Sequence, residues 1–158
     1  MRHILRYIAL LIAMEIVFSG IAFLLADWPW LAVLPAPALI ALVWLAGSNF
    51  AADWDRPRWS TAAAATLIGL IWQVPGLQGS IRFLTDTVGW TEYDGVTDLQ
   101  DFLMQTWHTV FLTVFSHVGG QVDGYYAVYY IGLVLASPVL ILLFLSAALW
   151  KLRRPGHA

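Results

Sequence analysis

Cysteine is absent from the 158 residues of the chain, and this absence excludes several kinds of site at once. Disulfide bonds, zinc sites with thiolate ligands, iron–sulfur clusters and covalently attached c-type haem all require cysteine. A chain without thiols carries no information about the redox state of its compartment. Any chemistry must therefore come from other side chains.

Charged residues are also scarce, at 11% of the chain, whereas soluble domains carry about a quarter. Hydrophobic residues make up 60%, and the mean hydropathy is +0.73. Residues 7–26 contain one charged side chain, Glu15, and residues 125–150 contain none. A helix needs roughly 20 apolar residues to cross the hydrocarbon core of a bilayer. The composition indicates a multi-pass membrane protein whose surroundings are lipid rather than nucleic acid.

The apolar runs predict an all-α fold with four transmembrane helices in one integral membrane domain over residues 1–158. The predicted spans cover about 4–26, 31–50, 60–78 and 125–150, and a long loop occupies 79–124. The first run is longer than the apolar part of a signal peptide, so we expect a retained helix.

Local signals suggest where the middle helices begin and end. The segment at 27–30, "DWPW", predicts a tight turn between the first two spans. Pro35 and Pro37 remove two amide donors, so we expect an irregular first turn in the second span. Gly47 and its two polar successors predict the end of that helix, and Ser60 is a candidate N-cap of the third span.

Basic residues predict the orientation of the spans. With four spans, all basic residues except Arg82 fall on one side of the membrane, the side that the positive-inside rule assigns to the cytoplasm. The acidic residues of the 79–124 loop then lie on the opposite side. We therefore expect a bacterial inner-membrane protein with both termini in the cytoplasm.

The segment over residues 98–118, "DLQDFLMQTWHTVFLTVFSHV", is apolar enough to raise the question of a fifth span. Its apolar residues, including Trp107, fall on one half of a helix, and polar residues such as Asp101 fall on the other. We predict one amphipathic helix that lies on the outer leaflet or packs against the bundle. A fifth or re-entrant helix that lines a water-filled cavity is the alternative.

Histidines on this segment do not predict a metal or haem site. His108 and His117 are nine positions apart, about 13 Å along a helix, so they cannot share a metal ion. Each flanks the apolar half, where the tip of an imidazole can reach water. None of the four histidines lies in a predicted span, as a bis-histidine haem would need. The acidic loop at 85–98 lacks the spacing of an EF-hand.

No metal or cofactor is therefore predicted. Contact with a quinone, a pigment or a lipid stays open. The numerous tryptophan and tyrosine residues are expected to form an interfacial aromatic belt, but they could also line a pocket for such a molecule.

Glu15 is the most informative single residue of the sequence. It lies near the middle of the first predicted span, where a charge costs at least about 2.5–3.5 kcal/mol. We expect its carboxyl group to be protonated unless it is paired, because burial disfavours the charged form. Ser19 and Gln73 are the nearest polar candidates for a partner. Two interpretations stay open: a proton or cation relay, and a buried hydrogen bond that fixes helix register.

Small residues on two predicted spans indicate close helix packing. They lie on one face of the third span and on one face of the fourth, and most of this packing is expected within the bundle. The residues are Ala62, Ala65, Gly69, Gly132 and Ala136.

These features support three hypotheses about function. The first is a non-catalytic small subunit or scaffold component of a larger membrane complex, bound to another membrane protein or to copies of itself. The second is a homo-oligomeric channel, or a carrier coupled to protons or other ions, that uses Glu15. The third is an enzyme that acts on lipid or quinone at the outer leaflet.

Overall fold

A computed structural model describes residues 1–78, 80–81, 95–119 and 125–152, and every regular element in these ranges is helical. The acidic loop and the C-terminal basic residues lie largely outside the described residues. The helices are α1 (Arg2–Leu24), α2 (Pro29–Ala32), α3 (Pro35–Trp54), α4 (Arg58–Trp72), α5 (Gly95–Trp107), α6 (Thr109–Gly119) and α7 (Tyr125–Lys151).

Within the described residues, three helical segments are long and apolar enough to cross a membrane, namely Arg2–Leu24, Trp30–Trp54 and Ile131–Lys151. The chain is therefore a membrane protein, as its composition predicted. The segment predicted as the third span forms α4, which has 15 residues, followed by a turn at Gln73 and further helical residues at 74–78. The count of four spans stays a prediction.

The predicted end of the second span was wrong, whereas the irregularity predicted near its start is present as a turn at residues 33–34, between α2 and α3. Pro35 stands in the first turn of α3, where its missing N–H removes no hydrogen bond from the helix. The helix also continues past Gly47 to Trp54 and ends at Asp55, whose φ of 36° is left-handed. Asp tolerates this conformation better than most residues do.

Ser60 was wrongly predicted as a cap, because α4 begins two residues earlier.

Gly47 serves packing rather than helix termination. A Cβ at this position would overlap the backbone carbonyl of Phe144 on α7. The absence of a side chain therefore lets α3 and α7 approach closely, which is a common use of glycine between membrane helices.

Helix α7 is the centre of the bundle and packs against α3, α4 and α6. Helix α1 packs against α3, α4 and α6 on another side. Side chains such as Leu11, Leu39, Ile68 and Leu140 fill the space between these helices and are almost inaccessible to solvent.

The segment predicted as one amphipathic helix contains two helices. A turn at His108 separates α5 from α6, and α6 packs against both α1 and α7. Val110 and Phe111 are buried in these contacts. The segment is therefore packed against the bundle at this point, and its depth in a membrane stays a prediction.

Pro138 lies inside α7 and leaves one carbonyl without its helical donor. The carbonyl concerned is that of Val134, four residues earlier. The hydroxyl of Ser80 donates a hydrogen bond to it, with an O···O distance of 2.7 Å. A side chain from another segment thus compensates for the missing N–H, as membrane helices with an internal proline require.

Candidate functional site

Four polar side chains from four parts of the chain meet inside the bundle. Glu15 comes from α1, Gln73 from the turn after α4, His108 from the turn between α5 and α6, and Ser137 from α7. Each has an exposed fraction of 0%. We call these four residues the polar cluster. Buried polar groups in a membrane protein are costly, so a cluster of four requires an explanation.

Two hydrogen bonds set the proton positions in the cluster. The Ser137 hydroxyl donates to Oε1 of Gln73 at 2.8 Å. Oγ of Ser137 also lies 2.8 Å from Nε2 of His108. A hydroxyl has one hydrogen, so Nε2 must be the donor in the second contact. Nδ1 of a neutral His108 is then unprotonated and can accept a proton.

Glu15 faces this free nitrogen. Its Oε1 lies 4.0 Å from Nδ1 of His108, which is longer than a hydrogen bond. Both carboxyl oxygens and Nδ1 have no hydrogen-bond partner among the described residues. The side-chain nitrogen of Gln73 is likewise buried without a hydrogen-bond partner among the described residues. An acid and a base therefore face each other across a short gap.

Gly76 makes room for the cluster. A Cβ at this position would overlap both Oγ of Ser137 and Nε2 of His108. The two atoms can approach each other only because residue 76 has no side chain.

A cleft of about 370 Å³ lies beside Glu15, between α1 and the junction of α5 and α6. We call it the Glu15 cleft. Glu15 is buried, so its carboxyl group lies at the inner wall of the cleft, and the exposed side chains of Ile16 and Phe23 lie towards its opening. The lining residues are Glu15, Ile16, Ser19, Gly20, Phe23, Thr106, Trp107 and Thr109.

A second cleft, of about 550 Å³, is bounded by α3, α6 and α7. Its lining side chains are apolar and include Ile40, Phe115 and Leu135. Gly132 also borders this cleft and approaches the ring of Phe115, which a Cβ would meet at 2.7 Å.

Only one of the two partners predicted for Glu15 lies in the polar cluster. Gln73 belongs to the polar cluster, but Ser19 does not pair with the carboxyl group. The Ser19 hydroxyl donates instead to the backbone carbonyl of Trp107, at 3.2 Å. Ser19 still lines the Glu15 cleft.

The prediction that the His108 imidazole reaches water was wrong, because the side chain is completely buried. Periodicity placed it correctly at the edge of the apolar half, but the break between α5 and α6 turns it towards the interior. Ser137 was missed altogether. The available signal was a hydroxyl in the middle of the apolar run at 125–150, directly before a proline.

The other candidate residues divide into two groups. Trp107 lines the Glu15 cleft, and its Nε1 is buried without a hydrogen-bond partner in the described part of the chain. The side chains of Asp101 and His117 lie outside the described residues.

The small residues of α4 and α7 lie largely at helix contacts. Ala65 and Ala136 are buried, and Gly69 lies against Ile141, which a Cβ would meet at 3.0 Å. Ala62 is partly exposed.

The chain matches no protein-family model, no curated protein and no solved structure. Its function is therefore argued from the polar cluster and the Glu15 cleft.

Proposed function

We propose that the chain binds and releases protons at Glu15 and His108 as a proton-coupled carrier or channel. One observation carries the proposal: an acid and a base, both buried in a membrane protein, face each other at 4.0 Å, and neither the carboxyl oxygens of Glu15 nor Nδ1 of His108 has a hydrogen-bond partner among the described residues. Ionisable residues inside a membrane are rare, and they mark substrate or ion pathways and proton relays.

The pair can hold one proton in two ways. A neutral carboxyl group can face the neutral imidazole, or the proton can pass to Nδ1 and leave a carboxylate beside an imidazolium. Neither state leaves an isolated charge in the bundle, which would be strongly disfavoured there. Ser137, which is itself hydrogen-bonded to Gln73, holds Nε2 on the far side of the ring and so keeps Nδ1 directed at Glu15.

The Glu15 cleft supplies one route to the pair. Glu15 lies 13 residues after Arg2, about 20 Å along the axis of α1 at 1.5 Å per residue. The cleft thus reaches the acid well inside the helix. Four helices rarely enclose a pore, so transport would need a second cleft from the other side or several copies of the chain.

The proposed setting is a bacterial inner membrane with four spans and both termini in the cytoplasm. The support is the basic residues on one predicted side. In this orientation the Glu15 cleft lies nearer to the outer face, since α1 runs outwards from Arg2.

Proton flux into liposomes tests the proposal. The purified protein is reconstituted with a pH-sensitive dye inside the vesicles, and a proton gradient is applied under valinomycin and potassium. We expect flux above that of empty vesicles and its loss in Glu15→Gln, which keeps the shape but removes the acid. Flux that is equal in the wild type and in Glu15→Gln would refute the role of the pair.

Asp53→Asn is the matched control. It makes the same change from acid to amide at the end of α3, where Asp53 accepts a hydrogen bond from Tyr7 at 2.9 Å and lies near Arg6. We expect this variant to retain flux, because it leaves the polar cluster intact.

A second candidate function is acyl transfer or hydrolysis on lipid. Ser137, His108 and Glu15 stand in the order of a nucleophile, a base and an orienting acid, with Oγ 2.8 Å from Nε2. However, the Ser137 hydroxyl donates its hydrogen to Gln73, and Ser137 borders neither cleft. A fluorophosphonate probe distinguishes the two functions. Labelling at Ser137 would support the enzyme, whereas we expect no labelling.

The hypothesis of a non-catalytic subunit stays a proposal that makes a different prediction. Native mass spectrometry after gentle extraction would then show a second protein bound to the chain. A homo-oligomer would instead favour the carrier or channel.

A further inference from the structure

The Glu15 cleft has the chemistry of a binding site for a cation. Its inner wall carries the buried Glu15 carboxyl group, whose two oxygens have no hydrogen-bond partner among the described residues. All of its lining residues belong to the described part of the chain, and none of them is basic. An anion would therefore meet no opposite charge there.

The hydroxyl groups of Ser19 and Thr109 in the cleft are oriented as acceptors. The Ser19 hydroxyl donates its hydrogen to the carbonyl of Trp107 at 3.2 Å. The Thr109 hydroxyl donates its hydrogen to the preceding turn, with the carbonyl oxygens of Gln105 and Thr106 at 3.1 and 2.9 Å. Because each hydrogen is already in use, the lone pairs are left for a ligand that donates.

The remaining walls are apolar and aromatic. Ile16 and Phe23 come from α1, and Trp107 comes from the end of α5. Aromatic faces attract cations and also cover hydrocarbon surface. A volume of about 370 Å³ is far larger than a metal ion needs and suits a small organic molecule.

We propose that the Glu15 cleft binds a small organic ammonium ion. Its N–H groups donate to the Glu15 carboxylate and to the hydroxyl of Ser19, and its apolar part lies against Phe23 and Trp107. The inference rests on the proposed function, because it names the substrate class for a carrier in which an ammonium ion and a proton compete for Glu15. Binding breaks the O–H bond of a protonated Glu15, and the proton leaves to solvent as the ammonium ion takes its place.

Titration calorimetry with 2-phenylethylammonium tests this proposal on the full chain in non-ionic detergent. The neutral 2-phenylethanol has a similar shape and serves as the ligand control. Repeating the titration in two buffers with different ionisation enthalpies counts the protons released. We expect saturable binding of the ammonium ion alone, with net proton release, and at least tenfold weaker binding to Glu15→Gln.

Two serine variants form a matched pair. Ser19 and Ser80 each donate a hydroxyl to a backbone carbonyl, but Ser19 lines the Glu15 cleft and Ser80 does not. We expect Ser19→Ala to weaken binding about tenfold, the effect of losing one hydrogen bond to a charged group. Ser80→Ala is expected to bind as the wild type does.

Absence of binding, equal binding of the alcohol, or equal affinities of the two serine variants would overturn the inference. Proton flux distinguishes this failure from failure of the proposed function. If flux depends on Glu15 but the ammonium ion does not bind, only the inference falls. If neither flux nor binding is observed, both fall.

Discussion

Replacing Gly76 with alanine tests whether the polar cluster is packed as tightly as the structure indicates. The new Cβ would overlap Ser137 Oγ and His108 Nε2, so the two side chains must separate or the backbone must shift. Overpacking of this kind costs about 1–3 kcal/mol. Loss of the hydrogen bond between the two side chains adds about 1 kcal/mol. Residue 76 is helical, so the better helix propensity of alanine offsets about 1 kcal/mol of this cost. Gly76→Ala should therefore lower the free energy of unfolding by about 1–3 kcal/mol.

Gly20→Ala is the control for this change. Gly20 lies inside α1, and a Cβ there would meet nothing within 4 Å. Alanine is a better helix former than glycine by about 1 kcal/mol, so this variant should be slightly more stable than the wild type. Unfolding in mixed micelles with increasing SDS, followed by circular dichroism, measures both. If Gly76→Ala is as stable as Gly20→Ala, the close approach of Ser137 and His108 is refuted.

Two further predictions concern hydrogen bonds outside the cluster and use the same unfolding assay. Tyr7→Phe removes the donor to Asp53 and should cost about 1 kcal/mol; an unchanged stability would mean that this bond contributes nothing. Ser80→Ala leaves the Val134 carbonyl without its donor and should also cost about 1 kcal/mol. In a Pro138→Ala background the helix regains its own N–H donor, so Ser80→Ala should cost less than half as much. Equal costs in both backgrounds would contradict the role of Ser80 as the substitute donor to the Val134 carbonyl.

Much of the fold followed from the sequence, because long apolar runs require helices in a membrane. The first and last spans were predicted within a few residues of α1 and α7. Gly47 was misread, since a glycine inside a helix and a glycine after its end have the same sequence signal. Only the position of the Phe144 carbonyl distinguishes them.

The site could be predicted only in part. Glu15 was evident, because one acid in an apolar run is costly enough to need a function or a partner. Its partners could not be derived, since Glu15 and His108 lie 93 positions apart and meet only through the packing of α6 against α1. The periodicity of a continuous helix also concealed the break that turns His108 inwards.

Infrared difference spectroscopy of the protein in lipid tests the central claim, that Glu15 and His108 share a proton, most directly. We expect a C=O stretching band of a protonated carboxyl group that disappears in Glu15→Gln and shifts in His108→Leu, because the leucine variant lacks the nitrogen that faces the acid. A Glu15 band that is unchanged in His108→Leu would contradict a shared proton.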